Sequence, residues 1–114
     1  MTTIYGIHNC DTIKKTQKWL TDNQIEYTFH DFRKDGLTPK TLTQFFEYSD
    51  WNLLLNKRST TYRNLSDEQK SNMSRDSAFE LFLEQPTLIK RPVLIKDNDL
   101  TVGFKAAQYQ EIFT

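Results

Sequence analysis

Apolar residues along this chain change their period several times, and each change marks an element. The apolar run at residues 4–7, ended by His8-Asn9, reads as a strand. From Asp11 to Asp22 the spacing turns helical. Ile13, Thr16, Trp19 and Leu20 share one broad side, while Lys14, Lys15 and Lys18 face water. Asn23 is the expected left-handed helix stop. Ile25, Tyr27 and Phe29 then alternate with Glu26, Thr28 and His30, the period of a strand. Lys34-Asp35-Gly36 marks a turn.

The middle of the chain predicts short helices. Thr38-Pro39 is an N-cap followed by a proline at the first helical position, with Leu42, Phe45 and Phe46 on one side of the helix it opens. Residues 51–55 form an apolar cluster read as a further short helix, and 56–64 are polar and basic around Lys57-Arg58-Ser59-Thr60-Thr61. Ser66 with Gln69 resembles a capping box. A longer helix is expected over 74–85, with Ala78, Leu81 and Phe82 inside and Pro86 ending it. Residues 92–95 and 100–104 read as two strands of a hairpin turned by Asp97-Asn98-Asp99. A last helix over about 105–113 carries Ala106, Tyr109 and Phe113 at helical spacing.

The order strand-helix-strand, helices, hairpin-helix predicts an α/β fold on a small mixed sheet, with the first two strands parallel. One domain is expected over residues 1–114. Its core comes from 1–36 and 87–114, and an inserted helical subdomain covers about 37–86. Eight Phe, five Tyr and two Trp supply the core. Fifteen Lys and Arg balance fifteen Asp and Glu, with basic residues only in short pairs such as Lys14-Lys15 and Lys90-Arg91, so nucleic acid is not an expected partner. A mean hydropathy of −0.69 and no long apolar run argue against a membrane span. The first residues lack the basic and apolar parts of a signal peptide, so cytoplasm is the expected location.

The single cysteine excludes an internal disulfide and a cysteine-rich zinc site, and no metal is expected. Cys10 falls where the first strand ends and the first helix begins. Free amides at a helix start favour an anion, so a thiol there has its thiolate favoured. Asp11 works against this, and an inert buried thiol fits the position equally well. Position 13 is Ile, so no second thiol can resolve a mixed disulfide by internal attack. If Cys10 reacts, an external thiol must complete each cycle, and glutathione is the abundant candidate. Arg91-Pro92 is the second signal: a proline at a strand's first residue is permitted either cis or trans.

Four stretches together resemble the arsenate reductase-like (ArsC/Spx/YffB) family, and most of all its YffB-type monothiol branch. They are Ile4-Tyr5-Gly6-Ile7-His8-Asn9-Cys10-Asp11-Thr12-Ile13-Lys14-Lys15, Asn56-Lys57-Arg58-Ser59-Thr60, Leu88-Ile89-Lys90-Arg91-Pro92-Val93 and Val102-Gly103-Phe104. The resemblance implies a thioredoxin-like fold with a helical insertion and a cis Pro92. It implies that Cys10 is the nucleophile and that Arg58 and Arg91 hold an oxyanion or its thiol adduct beside Pro92. Lys57 and Thr60 are expected to be surface residues.

The function so implied is that of a glutathione-dependent monothiol reductase. Its expected partners are glutathione as co-substrate, a small thiol or oxyanion substrate, and glutaredoxin as a protein partner; a monomer is the expected state. An Spx-like regulator binding RNA polymerase and an arsenate reductase are the alternatives. Three departures weigh on them. The stretch Val102-Gly103-Phe104-Lys105 lacks the arginine of arsenate reductases, the upstream histidine stands at another spacing, and Ile13 breaks the Cys-x-x-Cys of Spx proteins. His8 and His30 are expected to be solvated or core side chains rather than catalytic ones.

Overall fold

The computed structural model describes residues 2–8 and 10–114; Asn9, half of the expected strand-ending pair, lies outside the described residues. The chain separates into two compact units. One comprises the residues up to Gly36 together with Arg91–Thr114, and the other is Leu37–Lys90.

The first unit holds a four-stranded sheet in the order β2-β1-β3-β4. β1 (Thr2–Gly6) runs parallel to β2 (Thr28–Asp31), joined by α1 (Asp11–Asp22). β3 (Val93–Lys96) pairs antiparallel with β1, and β4 (Asp99–Val102) closes a hairpin on β3. The last helix, α7, spans Ala106–Ile112. This is the α/β fold on a small mixed sheet expected from the order of elements. Its core gathers Ile4, Leu20, Leu94 and Tyr109, with Trp19, Phe29, Phe104 and Phe113 packed around them. Trp19 meets Tyr109 edge-on at 5.6 Å, an arrangement that suits the ring quadrupoles. Ile13, Thr16 and Leu20 are buried on α1, as the helical spacing predicts.

Three details differ from the sequence expectation. The left-handed residue after α1 is Gln24 (φ 59°), whereas Asn23 is at φ −97° and its side-chain amide donates to the Trp19 carbonyl at 2.8 Å. Ile25 donates its N–H to the Leu20 carbonyl at 2.9 Å, which closes the helix end and withholds that amide from the sheet. The parallel ladder therefore starts at Thr3 and Thr28. On α7, Tyr109 is buried but Ala106 is exposed, because the helix leans on the sheet through Tyr109, Ile112 and Phe113.

The second unit contains α2 (Pro39–Tyr48), α3 (Trp51–Leu54), α4 (Thr60–Arg63), α5 (Asp67–Ser71) and α6 (Arg75–Glu84). Thr38 caps α2 and Ser66 with Gln69 forms the capping box on α5, both as expected. The polar segment 56–64 contains α4, which the hydrophobic pattern does not reveal. Ser59 caps it by accepting the Tyr62 N–H. Phe46 meets Phe79 and Phe82 edge-on at 5.3 and 6.0 Å. Leu81 is only half-buried, while Ala78 and Phe82 are buried as expected. This unit extends to Lys90 rather than ending near residue 86. A short 3-10 turn (Pro86–Leu88), a bridge between Leu55 and Ile89 and two 2.7 Å hydrogen bonds, Asn56 N–H to the Leu88 carbonyl and Lys90 N–H to the Leu54 carbonyl, tie 86–90 to the end of α3.

Gly6 ends β1 where the chain turns toward α1, and a methyl there would overlap Ile13 Cδ1. Overpacking of a filled core costs about 1–3 kcal/mol, so Gly6→Ala should lower the urea midpoint accordingly. Ile13→Val removes Cδ1 and should recover part of that loss in the double variant. Purely additive effects would show that the contact is not the cause.

Candidate active site

Cys10 follows β1 through a tight turn in which its N–H donates to the Ile7 carbonyl at 3.2 Å. Its own carbonyl accepts the first helical bond of α1, from Lys14 N–H at 3.1 Å, so Cys10 is the N-cap residue, with extended backbone. No side-chain hydrogen bond of ordinary geometry caps this helix. The free amides of the first turn act on the sulfur instead. Burial pushes the thiol pKa up. The Ile13 and Thr12 amides, the positive charge of Arg91 and the Thr12 hydroxyl outweigh that effect and hold Cys10 below the ordinary thiol value. Cys10 is half-buried rather than enclosed, so a reagent can reach it.

Arg91 stands just ahead of β3. Its side chain is partly buried, and Nη1 is enclosed without a hydrogen-bond partner among the described residues. A buried guanidinium nitrogen left unsatisfied is unusual and favours an anionic partner. The Arg91–Pro92 peptide is cis, Pro92 is buried, and its carbonyl accepts from Gly103 N–H at 2.8 Å. Gly103 has φ +81°, a conformation that favours glycine where β4 ends. Cys10, Arg91 and Pro92 thus belong to one unit. Arg58 belongs to the other, where it is exposed and its backbone N–H donates to the Asn56 side chain at 3.1 Å. Lys57 and Thr60 are exposed, as expected.

Two contributors are not evident from the sequence. Thr12 lies two residues beyond the cysteine, and the only hint of its role is its place in the helix's first turn. The other is a pairing between His8 and Asp31. Asp31 closes β2 beside Gly6 in the parallel register and is 3% exposed. Its carboxylate accepts from Arg33 N–H at 2.9 Å and from His8 Nδ1 at 2.6 Å. Burial pushes its pKa up. The Arg33 amide, the His8 ring, the Lys34 amide and the charge of His8 outweigh this and keep it below the usual carboxylate value. His30 serves the framework instead. Its Nε2 donates to the Gly36 carbonyl at 2.6 Å while the ring packs against Tyr5 and Phe32.

Among the described residues no three His, Cys, Asp or Glu side chains come together as a metal site. An open depression of about 710 Å³ is lined by Thr2, Ile25, Glu26, Tyr27 and Thr28, and holds no nucleophile. It lies at the start of β1 and β2, away from the strand ends that carry Cys10. No helix of the described residues is long and apolar enough to cross a membrane.

Arg91→Ala and Thr12→Val should each raise the Cys10 pKa, read from thiolate absorbance against pH, because each removes a group that favours the anion. An unchanged titration in both variants would remove these groups from the sulfur's environment. The stability that Asp31 lends is complete above its ordinary value of 3.8 and is lost as pH falls through its lower folded value. Unfolding free energy measured across that acid range should therefore decline in the natural protein. The same arm should be flatter in Asp31→Asn.

The ArsC family model matches residues 5–112. An uncharacterized protein of Haemophilus influenzae is 47% identical over 113 residues, covering 99% of both chains. Among solved structures, the YffB protein superposes with a TM-score of 0.93 at 37% identity over the whole of both chains. An arsenate reductase (ArsC) related protein from Brucella melitensis reaches a TM-score of 0.81 at 51% identity, covering 99% of this chain and 94% of that one. The family model spans nearly the whole chain, and relatives 47% and 51% identical cover 99% of it: the chain belongs to the ArsC family.

Proposed function

We propose that this ArsC-family protein is a glutathione-dependent monothiol reductase with Cys10 as its nucleophile. The observation that carries the reading is the state of the one sulfur. Cys10 is half-buried, is held toward its thiolate by the Ile13 and Thr12 amides and by Arg91, and has no second cysteine in the chain. A thiolate so placed attacks a disulfide sulfur, forms the mixed disulfide of Cys10 and expels the other half as a thiolate. No internal thiol is available to release the product. Glutathione attacks the substrate-derived sulfur, takes that half as a new disulfide and returns Cys10 as thiolate.

Arg91, whose Nη1 has no hydrogen-bond partner among the described residues, binds the anionic part of the substrate or a glutathione carboxylate. Pro92 lines that place. Arg58 enters the proposal through its motif alone, as a second anion-binding guanidinium. An oxyanion substrate would meet the same groups. A glutaredoxin is the protein partner able to recycle the mixed disulfide, and a thiol-rich cytoplasm is the setting that suits this chemistry.

Mixing the protein with oxidised glutathione and measuring its mass should reveal one glutathionyl adduct, absent in Cys10→Ser. Glutathione-supported reduction of a small disulfide should fall to background in that variant. Arg91→Ala should cost about 1.5–3 kcal/mol in kcat/KM, roughly ten- to a hundredfold, if it holds an anionic group. A Cys10 that takes no adduct, with turnover indifferent to both changes, would sink the reading.

A further inference from the structure

The pairing of His8 with Asp31 has no part in the reading above, yet it sits at the same end of the sheet as the nucleophile. β1 and β2 are parallel and end side by side. Gly6 faces Asp31 in register, and Phe32 N–H donates to the Gly6 carbonyl at 2.8 Å. The turn that follows β1 closes with Cys10 N–H on the Ile7 carbonyl. Such a turn brings its first and last Cα atoms within about 7 Å, so His8 and Cys10 project from one tight bend.

The two partners differ sharply in environment. The Asp31 side chain is 5% exposed and the His8 side chain 58%. An ionised carboxylate only accepts hydrogen bonds, so His8 Nδ1 is the donor in the 2.6 Å contact. That fixes the tautomer. The neutral ring carries its proton on Nδ1 and keeps an open lone pair on Nε2, and the charged ring carries a second proton on Nε2. Asp31 does not need the imidazole to be satisfied, because the Arg33 and Lys34 amides already serve it. What the contact does accomplish is to hold a proton carrier in one orientation beside the cysteine turn.

We infer that His8, oriented by Asp31, is the proton-transfer group of the Cys10 site for substrates whose leaving group is an alkyl thiol. This inference rests on the reading of Cys10 as a thiol–disulfide nucleophile and deepens it. In the first half-reaction the Cys10 thiolate bonds to one sulfur of the disulfide. The electron pair of the broken S–S bond passes to the other sulfur, and the Nε2 proton of the charged ring follows it, so that a neutral thiol departs. In the second half-reaction the neutral ring takes the proton from the incoming glutathione thiol. The glutathione sulfur then bonds to the substrate sulfur, and Cys10 leaves as thiolate. Over both halves one disulfide and one thiol become another disulfide and another thiol, and the ring ends as it began.

An alkyl thiolate is a stronger base than imidazole, so this protonation is downhill. An aryl thiolate is a weak base that departs without help. Against the Asp31 carboxylate stand the Arg33 and Lys34 amides and the His8 ring, and the Asp35 carboxylate accepts the Asp31 N–H at 3.1 Å; on the cysteine side, Asp11 is next in sequence and the charge of Arg91 acts on Cys10. Asp31 is the one that binds the ring.

The test is a single-turnover exchange of Cys10 at about pH 6, near the ordinary imidazole range, with two reagents. One is oxidised mercaptoethanol, a dialkyl disulfide, followed by mass. The other is dithiodipyridine, an aryl disulfide, followed by absorbance. His8→Gln keeps a donor for Asp31 but cannot carry the proton. It should lower the dialkyl-to-aryl rate ratio by at least about tenfold, the low end for loss of an acid–base group. Asp31→Asn removes the carboxylate that holds Nδ1 in place and should lower the same ratio by a smaller factor. If Asp31→Asn does not fold, the His8→Gln ratio decides alone. An unchanged ratio, with both rates slowed alike or neither slowed, overturns the inference and leaves His8 a structural side chain. A natural protein that exchanges with neither reagent overturns the nucleophile reading as well. Absence of glutathione-supported turnover with the ratio effect intact overturns only the glutathione part of the proposed function.

Discussion

The sulfur of Cys10 and the free N–H groups of the first turn of α1 set the terms for this protein. A helix start offers amides that its own backbone cannot use. Oxygen-bearing residues normally take them, and Thr38, Ser59, Ser66 and Ser74 do so elsewhere in the chain. At α1 the capping position holds a thiol, a poor acceptor when neutral and a good one when ionised. The same amides that cap other helices therefore act here on the charge state of a thiol. Burial opposes the ionised form, and the amides, with Arg91 and Thr12, outweigh it and hold the thiol below its ordinary value.

That balance depends on where α1 begins, and packing decides this. Ile13, Thr16 and Leu20 are fully buried, and burial of a large apolar side chain contributes about 1.5–3 kcal/mol. Gly6 permits the helix to come close to the end of β1, since any side chain there would meet Ile13. Arg91 and the cis Pro92 are carried to the same unit by β3, which pairs with β1 from Thr2 to Tyr5. Cys10 and Arg91 thus flank neighbouring strands of one sheet, whose positions are tied by the ladder between them. The helical unit builds its own core around Phe45, Phe46, Phe82, Leu54 and Leu88 and carries Arg58 on its surface.

The two histidines show how place in the fold separates chemically identical side chains. His30 lies within β2, packs against the rings of Tyr5 and Phe32 and donates to the Gly36 carbonyl, so it is part of the framework. His8 lies past the end of β1, has one nitrogen fixed by a buried carboxylate and leaves most of its ring to solvent.

Much of this was legible in the order of residues because the signals are local. A strand, then a cysteine, then a helix with buried Ile13 and Leu20 follow from period and capping alone. So do the N-caps at Thr38 and Ser66 and the absence of an internal resolving thiol. Other features depend on groups that are distant in the chain, and local pattern does not encode them. The helix stop passes from Asn23 to Gln24 because Ile25 must bond back to Leu20 while the chain turns into the sheet. Leu81 stays half-buried and α4 forms from polar residues, since capping and neighbouring packing outweigh hydrophobicity there. The direction of the Cys10 shift follows only when burial, amides and Arg91 are set against one another in space. The contact of His8 with Asp31 exists only because parallel pairing brings the ends of β1 and β2 together. Sequence period decides which residues form helices and strands, but the charge on a side chain depends on what surrounds it, and that is a property of the folded chain alone.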